Sequence, residues 1–244
     1  LPVADVAYFY GSHVPNFTQL RRSDPARVGP GFDYDVVTEE VILTRMSVKD
    51  GQLVLPDGVS YRMLVLPDRD IISLPVLRKL KEFVASGATI IGPPPARSMS
   101  LENYPRQDAE VQKLARELWG KKSAKGRVIA DKTAREVLLA DGVKPDFEPV
   151  SPVLNYIHRR DGAVEIYFVA SRTNVATGVD CAFRVTGRAP ELWNPVSGER
   201  KPVGAYELRG GQTIVPLDFD PYGSWFVIFR DAIANQSAVA QNKS

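Results

Sequence analysis

The sequence predicts a protein of the α/β plus all-β class, a doubly wound, mostly parallel sheet followed by a small antiparallel β-sandwich. Three observations predict it. Strand-like and helix-like segments alternate from Asp5 to about Gly142, the pattern of a parallel sheet with helices on both faces. The stretch "KPDFEPVSPV" then holds three prolines in ten residues and reads as a linker. Beyond it the helical period vanishes, and short apolar runs separated by turn pairs take over. The expected domains are therefore an α/β unit over 1–145, a sandwich over 146–232 and a C-terminal tail over 233–244.

The elements follow in order. "DVAYFY" is a short strand that stops at Gly11, and a polar loop with Gly and Pro runs from Ser12 to Asp33. A loop that long points to function or to contact with a neighbouring domain. Val36 to Arg45 reads as a weak helix with Asp35 as its N-cap, and Asp50-Gly51 signals a hairpin turn. "YRMLVLP" is a buried-type strand. "SLPVLRKLKEFVASG" is the clearest helix: Ser73 caps it, Pro75 fits its first turn, Val76, Leu77, Leu80, Phe83 and Val84 share one face, and Gly87 stops it. "ATIIG" is the next strand, and Asp108 to Trp119 repeats the helical period through Val111, Leu114, Ala115 and Leu118. "GRVIA" is a further strand, and Thr133 with Glu136 forms a capping box for a short last helix. In the second half, "LNYIHRR", "AVEIYFVAS", "DCAFRVT", "PELWNP", "QTIVPLDF" and "GSWFVIFR" read as strands.

Composition narrows the function classes. Of 244 residues, 44% are hydrophobic and 25% charged, with 31 basic and 29 acidic side chains and no long block of either sign. That balance argues against nucleic acid as a partner, because counterion release needs a concentrated basic surface, and against an anionic membrane for the same reason. No apolar run approaches the roughly 20 residues that span a bilayer. One cysteine, Cys181, excludes an internal disulfide. Two histidines, His13 and His158, argue against a histidine-rich metal centre. No cofactor is expected. The opening "LPVADVAYFYG" shows no initiator Met, basic n-region or signal-peptide core and reads as the interior of a longer chain, with any export signal upstream.

Ligands of open α/β sheets sit beyond the carboxyl ends of the strands. "GSH", "PDRD" and "GPPP" occupy such positions. A phosphate cradle needs a row of backbone N–H groups, and Pro93, Pro94 and Pro95 have none, so "GATIIGPPPARS" reads as a stiff connector. His13, with Ser12 and with Asp68 or Asp70, is the one acid/base constellation on offer, although Ser12 and His13 point apart in extended chain and the aspartates serve equally as turn or capping residues. His158 reads as a strand-end surface residue beside Arg159 and Arg160, and Cys181 as a small buried thiol. Asp33, Asp35, Glu39 and Glu40 supply carboxylates without the geometry of a glycosidase pair. Trp193 and Tyr222 are candidate sugar-binding residues. Trp225 alternates with Val227 and Phe229 and belongs to the core. Asn16-Phe17-Thr18 and Asn235-Gln236-Ser237 match the glycosylation pattern.

"DGQLVLPDGVSYRMLVLPD", "LRKLKEFVASGATIIGPPPARSMSLENYP", "IHRRDGAVEIYFVAS", "ELWNPVSGE" and "PYGSWFVIFR", in this order, resemble the C-terminal part of large bacterial glycoside hydrolases of the α-L-rhamnosidase type, family 106-like. The likeness runs from about Asp5 to Arg230. It implies a flavodoxin-like, amidotransferase-like α/β domain followed by β-sandwich modules, all downstream of a catalytic (β/α)-barrel that carries the acid and base carboxylates. The expected function is then a non-catalytic accessory portion whose partner is the upstream barrel of the parent chain. A carbohydrate-binding module using Trp193 and Tyr222, and a stand-alone hydrolase using His13 and Asp68, are the alternatives.

Overall fold

The computed structural model describes residues 1–14, 16–17, 19–120, 124–149 and 153–232. The chain divides into two compact units, Leu1–Lys144 and Pro145–Ser244. In the first, β1 (Val6–Phe9), β2 (Tyr34–Val37), β3 (Met63–Val65), β4 (Thr89–Ile91) and β5 (Arg127–Ile129) form one parallel sheet in the order β5-β4-β3-β1-β2. Its strands are three to four residues long, and the three central ones, β1, β3 and β4, are largely apolar and buried on both faces. Helix α1 (Leu74–Ala85) connects β3 to β4, and α2 (Arg106–Gly120) connects β4 to β5. The Ser73 hydroxyl accepts the Val76 N–H to cap α1, and Val76, Leu77, Leu80, Phe83 and Val84 are buried beneath it. Helix α3 (Ala134–Ala140) follows β5 and opens on the capping box, with the Thr133 N–H donating to Glu136 and the Glu136 N–H donating back to Thr133.

The expectation of a flavodoxin-like, amidotransferase-like doubly wound fold is overturned. A doubly wound sheet carries crossover helices on both faces, whereas here the two crossover helices share one face. Ion pairs Arg78–Glu110 at 2.6 Å and Lys81–Glu117 at 2.7 Å bridge α1 to α2. The β1–β2 crossover has only a 3-10 turn, Arg21–Ser23. The β2–β3 crossover has a π-helical turn, Val41–Arg45, and a three-stranded antiparallel sheet, Ser47–Lys49, Gln52–Val54 and Ser60–Tyr61. The second face is covered by loop residues Ala26, Val28 and Phe32 together with Ala134, Val137 and Leu138 of α3. The weak helix expected over Val36 to Arg45 is present from Glu39 to Arg45, largely as a π-helical turn, while its start and its cap are corrected. Val36 and Val37 pair in parallel with Tyr8 and Phe9, and Asp35 caps nothing, its carboxylate accepting the Tyr61 hydroxyl at 3.1 Å. β-Branched side chains beside an open sheet edge favour the strand. The Asp50-Gly51 turn has positive φ at both residues, as a two-residue hairpin requires.

The second unit holds two antiparallel sheets. One is β6 (Phe147–Glu148), β9 (Thr177–Phe183), β13 (Gln212–Phe219) and β12 (Glu207–Arg209), in the order β6-β9-β13-β12. The other is β7 (Leu154–Asp161), β8 (Val164–Ser171), β14 (Ser224–Ala232), β10 (Arg188–Trp193) and β11 (Arg200–Pro202), in the order β7-β8-β14-β10-β11. Alternate residues of both sheets meet in one core: Phe147, Cys181, Phe183 and Leu217 from the first, Tyr167, Val169, Val227 and Phe229 from the second. Part of the expected linker is therefore structural, since Phe147 pairs with Phe183 and both Asp146 and Phe147 are buried. The tail from 233 and its Asn235-Gln236-Ser237 pattern lie outside the described residues.

His158 corrects the surface expectation. It is 4% exposed, its ring stacks on Tyr167 at 3.8 Å, Nδ1 lies 2.9 Å from Asp146, and Nε2 lies 2.9 Å from Glu165. Tyr167 also donates to Asp146, while Arg184 pairs with Asp146 and Arg160 with Glu165. Burial by itself pulls the His158 pKa down, but hydrogen bonds to Asp146 and Glu165 outweigh it and leave the pKa above 6.5. For Glu165, burial pushes up, and the His158 and Arg160 contacts bring the carboxyl below 4.5. The imidazolium, with two N–H donors, satisfies both carboxylates. Its stabilisation is full below the unfolded histidine value and is lost as pH rises through the raised folded one; that of Glu165 is lost as pH falls through its depressed one. The urea midpoint is therefore expected to fall from pH 6 to pH 9 in the wild type and to lose this dependence in His158→Ala. That variant is less stable at pH 6 by about 1–3 kcal/mol, because Asp146 and Glu165 each lose a charged donor while keeping Arg184 and Arg160.

Candidate functional site

A cleft of about 610 Å³ opens at the carboxyl ends of β1, β3, β4 and β5, the place where an α/β sheet binds ligands. Its floor includes Tyr8, Val65 and Ile91 from the strands, and its walls come from the segments that leave them. Two glycines shape those exits. Gly11 has φ +86°, and a Cβ there would meet His13 Nδ1 at 2.9 Å, so the ring folds back over it. Gly92 has φ +145°, a Cβ would lie 2.7 Å from Leu66 Cβ, and its carbonyl accepts the Trp119 indole N–H at 2.9 Å.

His13 and Asp68 both line the cleft. They are not linked: Asp68 pairs with Arg27 at 3.3 Å, and the Ser12 hydroxyl donates to Glu39 rather than serving His13. Desolvation first, and the Arg69 charge second, lower the His13 pKa, so the imidazole is neutral at neutral pH. Asp70 is elsewhere in role. Its carboxylate holds Arg97 at 2.9 Å, and its carbonyl accepts the Ala96 and Arg97 N–H groups, which fastens the short parallel pair of Ile71–Ile72 and Arg97–Ser98. Pro93 lines the cleft without an N–H to offer.

Asp33 and Glu39 are committed to structure, while Glu40 is exposed away from the cleft lining. Asp33 pairs with Arg21 and accepts the Tyr34 N–H; burial pushes its pKa up against the pull of Arg21. Glu39 accepts from Ser12 and from Ser73, joining the loop to the start of α1. Cys181 is fully buried on β9, and burial, with Asp180 adding to it, pushes the thiol up to about 12. It is neither a nucleophile nor a ligand there. Asn16 donates its side-chain amide to the Gly11 carbonyl at 2.7 Å, so the nitrogen a glycan would use already shapes the loop.

Trp193 and Tyr222 occupy different settings. Trp193 pairs in register with Phe226 inside the five-stranded sheet, donates its N–H to Glu191, and has the Arg200 and Arg230 guanidiniums 4.0 and 5.2 Å from its ring. Its π surface is occupied by cations. Tyr222 stands in the turn before β14, 68% exposed. Trp225 packs on the core, its N–H bonded to the Asp218 carbonyl.

Sequence reasoning missed Arg69 and Lys132. Both line the cleft, and neither forms an ion pair among the described residues. Arg69 was legible in "PDRD" and Lys132 in the residues after "GRVIA", because each follows a parallel strand.

The fold and cleft define an α/β segment with a concave site at its strand ends, and comparison with known proteins supplies the family. The chain belongs to glycoside hydrolase family 106, α-L-rhamnosidase, whose model matches residues 1–208. A putative β-glucuronidase of Formosa agariphila is 35% identical over 242 residues, covering 99% of this chain and 20% of that protein. The solved rhamnosidase of Novosphingobium sp. PP1Y superposes with a TM-score of 0.84 at 32% identity, over 100% of this chain and 24% of that one. A β-galactosidase from Bacillus circulans sp. alkalophilus shares the fold alone, with TM-score 0.52 and 11% identity over 94% of this chain and 42% of that one. The chain thus spans about a fifth to a quarter of the family relatives it matches.

Gly92→Ala is expected to destabilise the first unit by about 1–3 kcal/mol, read as a lower thermal midpoint, since it adds both backbone strain and a clash with Leu66.

Proposed function

We propose that this chain is a non-catalytic accessory portion of a larger rhamnosidase-type glycoside hydrolase, the acid and base carboxylates lying on polypeptide outside it. One observation supports this reading most: the cleft's carboxylates are already engaged. Asp24 accepts the Val28 and Gly29 N–H groups at 3.0 and 2.8 Å, and Asp68 holds Arg27. Glycoside hydrolysis needs one carboxyl free to donate a proton and a second, about 5–10 Å away, free to attack or to activate water. The neutral His13 has neither a serine nor an aspartate bonded to it to make a nucleophile pair.

The partner in this reading is the barrel of the parent protein. The loop after β1 leaves Val14 and Leu20 94% and 62% exposed, apolar surface of the kind that inter-domain contacts cover. A position beside a barrel also accounts for a family segment that has a cleft but no reacting pair.

The purified chain is expected to release no nitrophenol from para-nitrophenyl α-L-rhamnoside or para-nitrophenyl β-D-glucuronide above the buffer rate. Turnover that disappears in His13→Ala or Asp68→Asn would instead establish a stand-alone hydrolase.

A further inference from the structure

We propose that the cleft at the carboxyl ends of β1, β3, β4 and β5 binds an acidic saccharide, a sugar ring bearing a carboxylate or a sulfate ester, with the anion between Arg69 and Lys132 and the ring against Tyr10 and Phe17. The charge inventory carries it. Asp24, Arg27, Asp68, Arg69 and Lys132 line the cleft. Asp24 is taken by backbone N–H groups, and Arg27 and Asp68 neutralise each other. Arg69 and Lys132 form no ion pair within 4.0 Å among the described residues, and the nearby carboxylate on which the Lys132 charge acts, Glu136, is engaged in the Thr133 capping box. Arg69 lines the cleft together with Tyr8 and His13.

Size and lining point to a sugar and not to a bare ion. A volume of about 610 Å³ falls within the roughly 300–1,000 Å³ typical of small-molecule sites. Phe17 is 79% exposed at the cleft and Tyr10 is half-buried beside it, so two aromatic faces are available to the apolar side of a pyranose. Pro93 closes the β4 exit without an N–H, so that exit offers no backbone donor to a phosphate. Two side-chain cations suit a single anionic group on a larger neutral body, and such contacts weaken with salt.

This inference rests on the accessory reading of the same cleft, yet the two fail separately, one by turnover and the other by absence of binding. The test is titration calorimetry on the purified chain with methyl β-D-glucuronide, a galactose sulfate, methyl α-L-rhamnoside and sodium sulfate. Saturable heat is expected with at least one acidic sugar, weakening as ionic strength rises, and which of the two binds identifies the anion. Arg69→Gln and Lys132→Gln should each weaken it about tenfold or more. Lys113→Gln, an exposed charge on α2, should leave it unchanged, with circular dichroism confirming that all three variants fold. No heat with either acidic sugar, equal heat with the neutral rhamnoside or with sulfate alone, or an affinity unmoved in both cleft variants would overturn the proposal.

Discussion

Both faces of a parallel sheet must be kept from water, and in the first unit one of them is covered partly by the short helix α3 and partly by loop that must satisfy its own backbone. The loop between β1 and β2 buries Ala26, Val28 and Phe32 against that face. An irregular segment can do so only if its polar groups find partners. Here side chains supply them. Asp24 accepts two successive N–H groups, Arg135 donates to the Pro30 and Val28 carbonyls, and Asn16 donates to the Gly11 carbonyl. The guanidinium of Arg135 also sits 5.4 Å from the centre of the Phe32 ring. These bonds take the place of a crossover helix.

The cleft is a consequence of that substitution. The loop, pinned at a few points, and the start of α3 both line the space left beyond the strand ends. The strand exits at Gly11, Pro67 and Gly92 fix the other walls. The same polar groups that hold the loop also consume the carboxylates nearest the cleft. The acids nearest the cleft are thus spent on architecture, which is the ground on which the proposed anion site rests.

The second unit solves a different problem, a histidine placed among rings and carboxylates inside a core. Asp146, His158, Glu165, Tyr167 and Arg184 form one bonded cluster at the level where Phe147 enters the first of its sheets. Removing charges from water is costly, and the cost is offset only when every partner is present. The cluster therefore ties the segment after Lys144 to strands β7 and β8, and makes the start of this unit part of its core.

What could be read directly from the residues was local. Ser73, Pro75 and Gly87 delimit α1, Thr133 and Glu136 box the start of α3, Asp50-Gly51 turns a hairpin, and Cys181 alternates into a core, because each depends on chemistry within a few positions. The ordered phrases that place the chain in its glycoside hydrolase family were legible in the same way. Tertiary structure alone decided that Val36 and Val37 extend an edge instead of starting a helix, that a loop replaces a helical layer, and that His158 is buried between Asp146 and Glu165. It also brought Arg69 and Lys132 to one cleft from strand ends 63 residues apart in the chain. The reason is physical: a cap or a turn is stabilised by neighbours along the chain, while the burial of a charge or the closing of a sheet face depends on partners that only packing brings near.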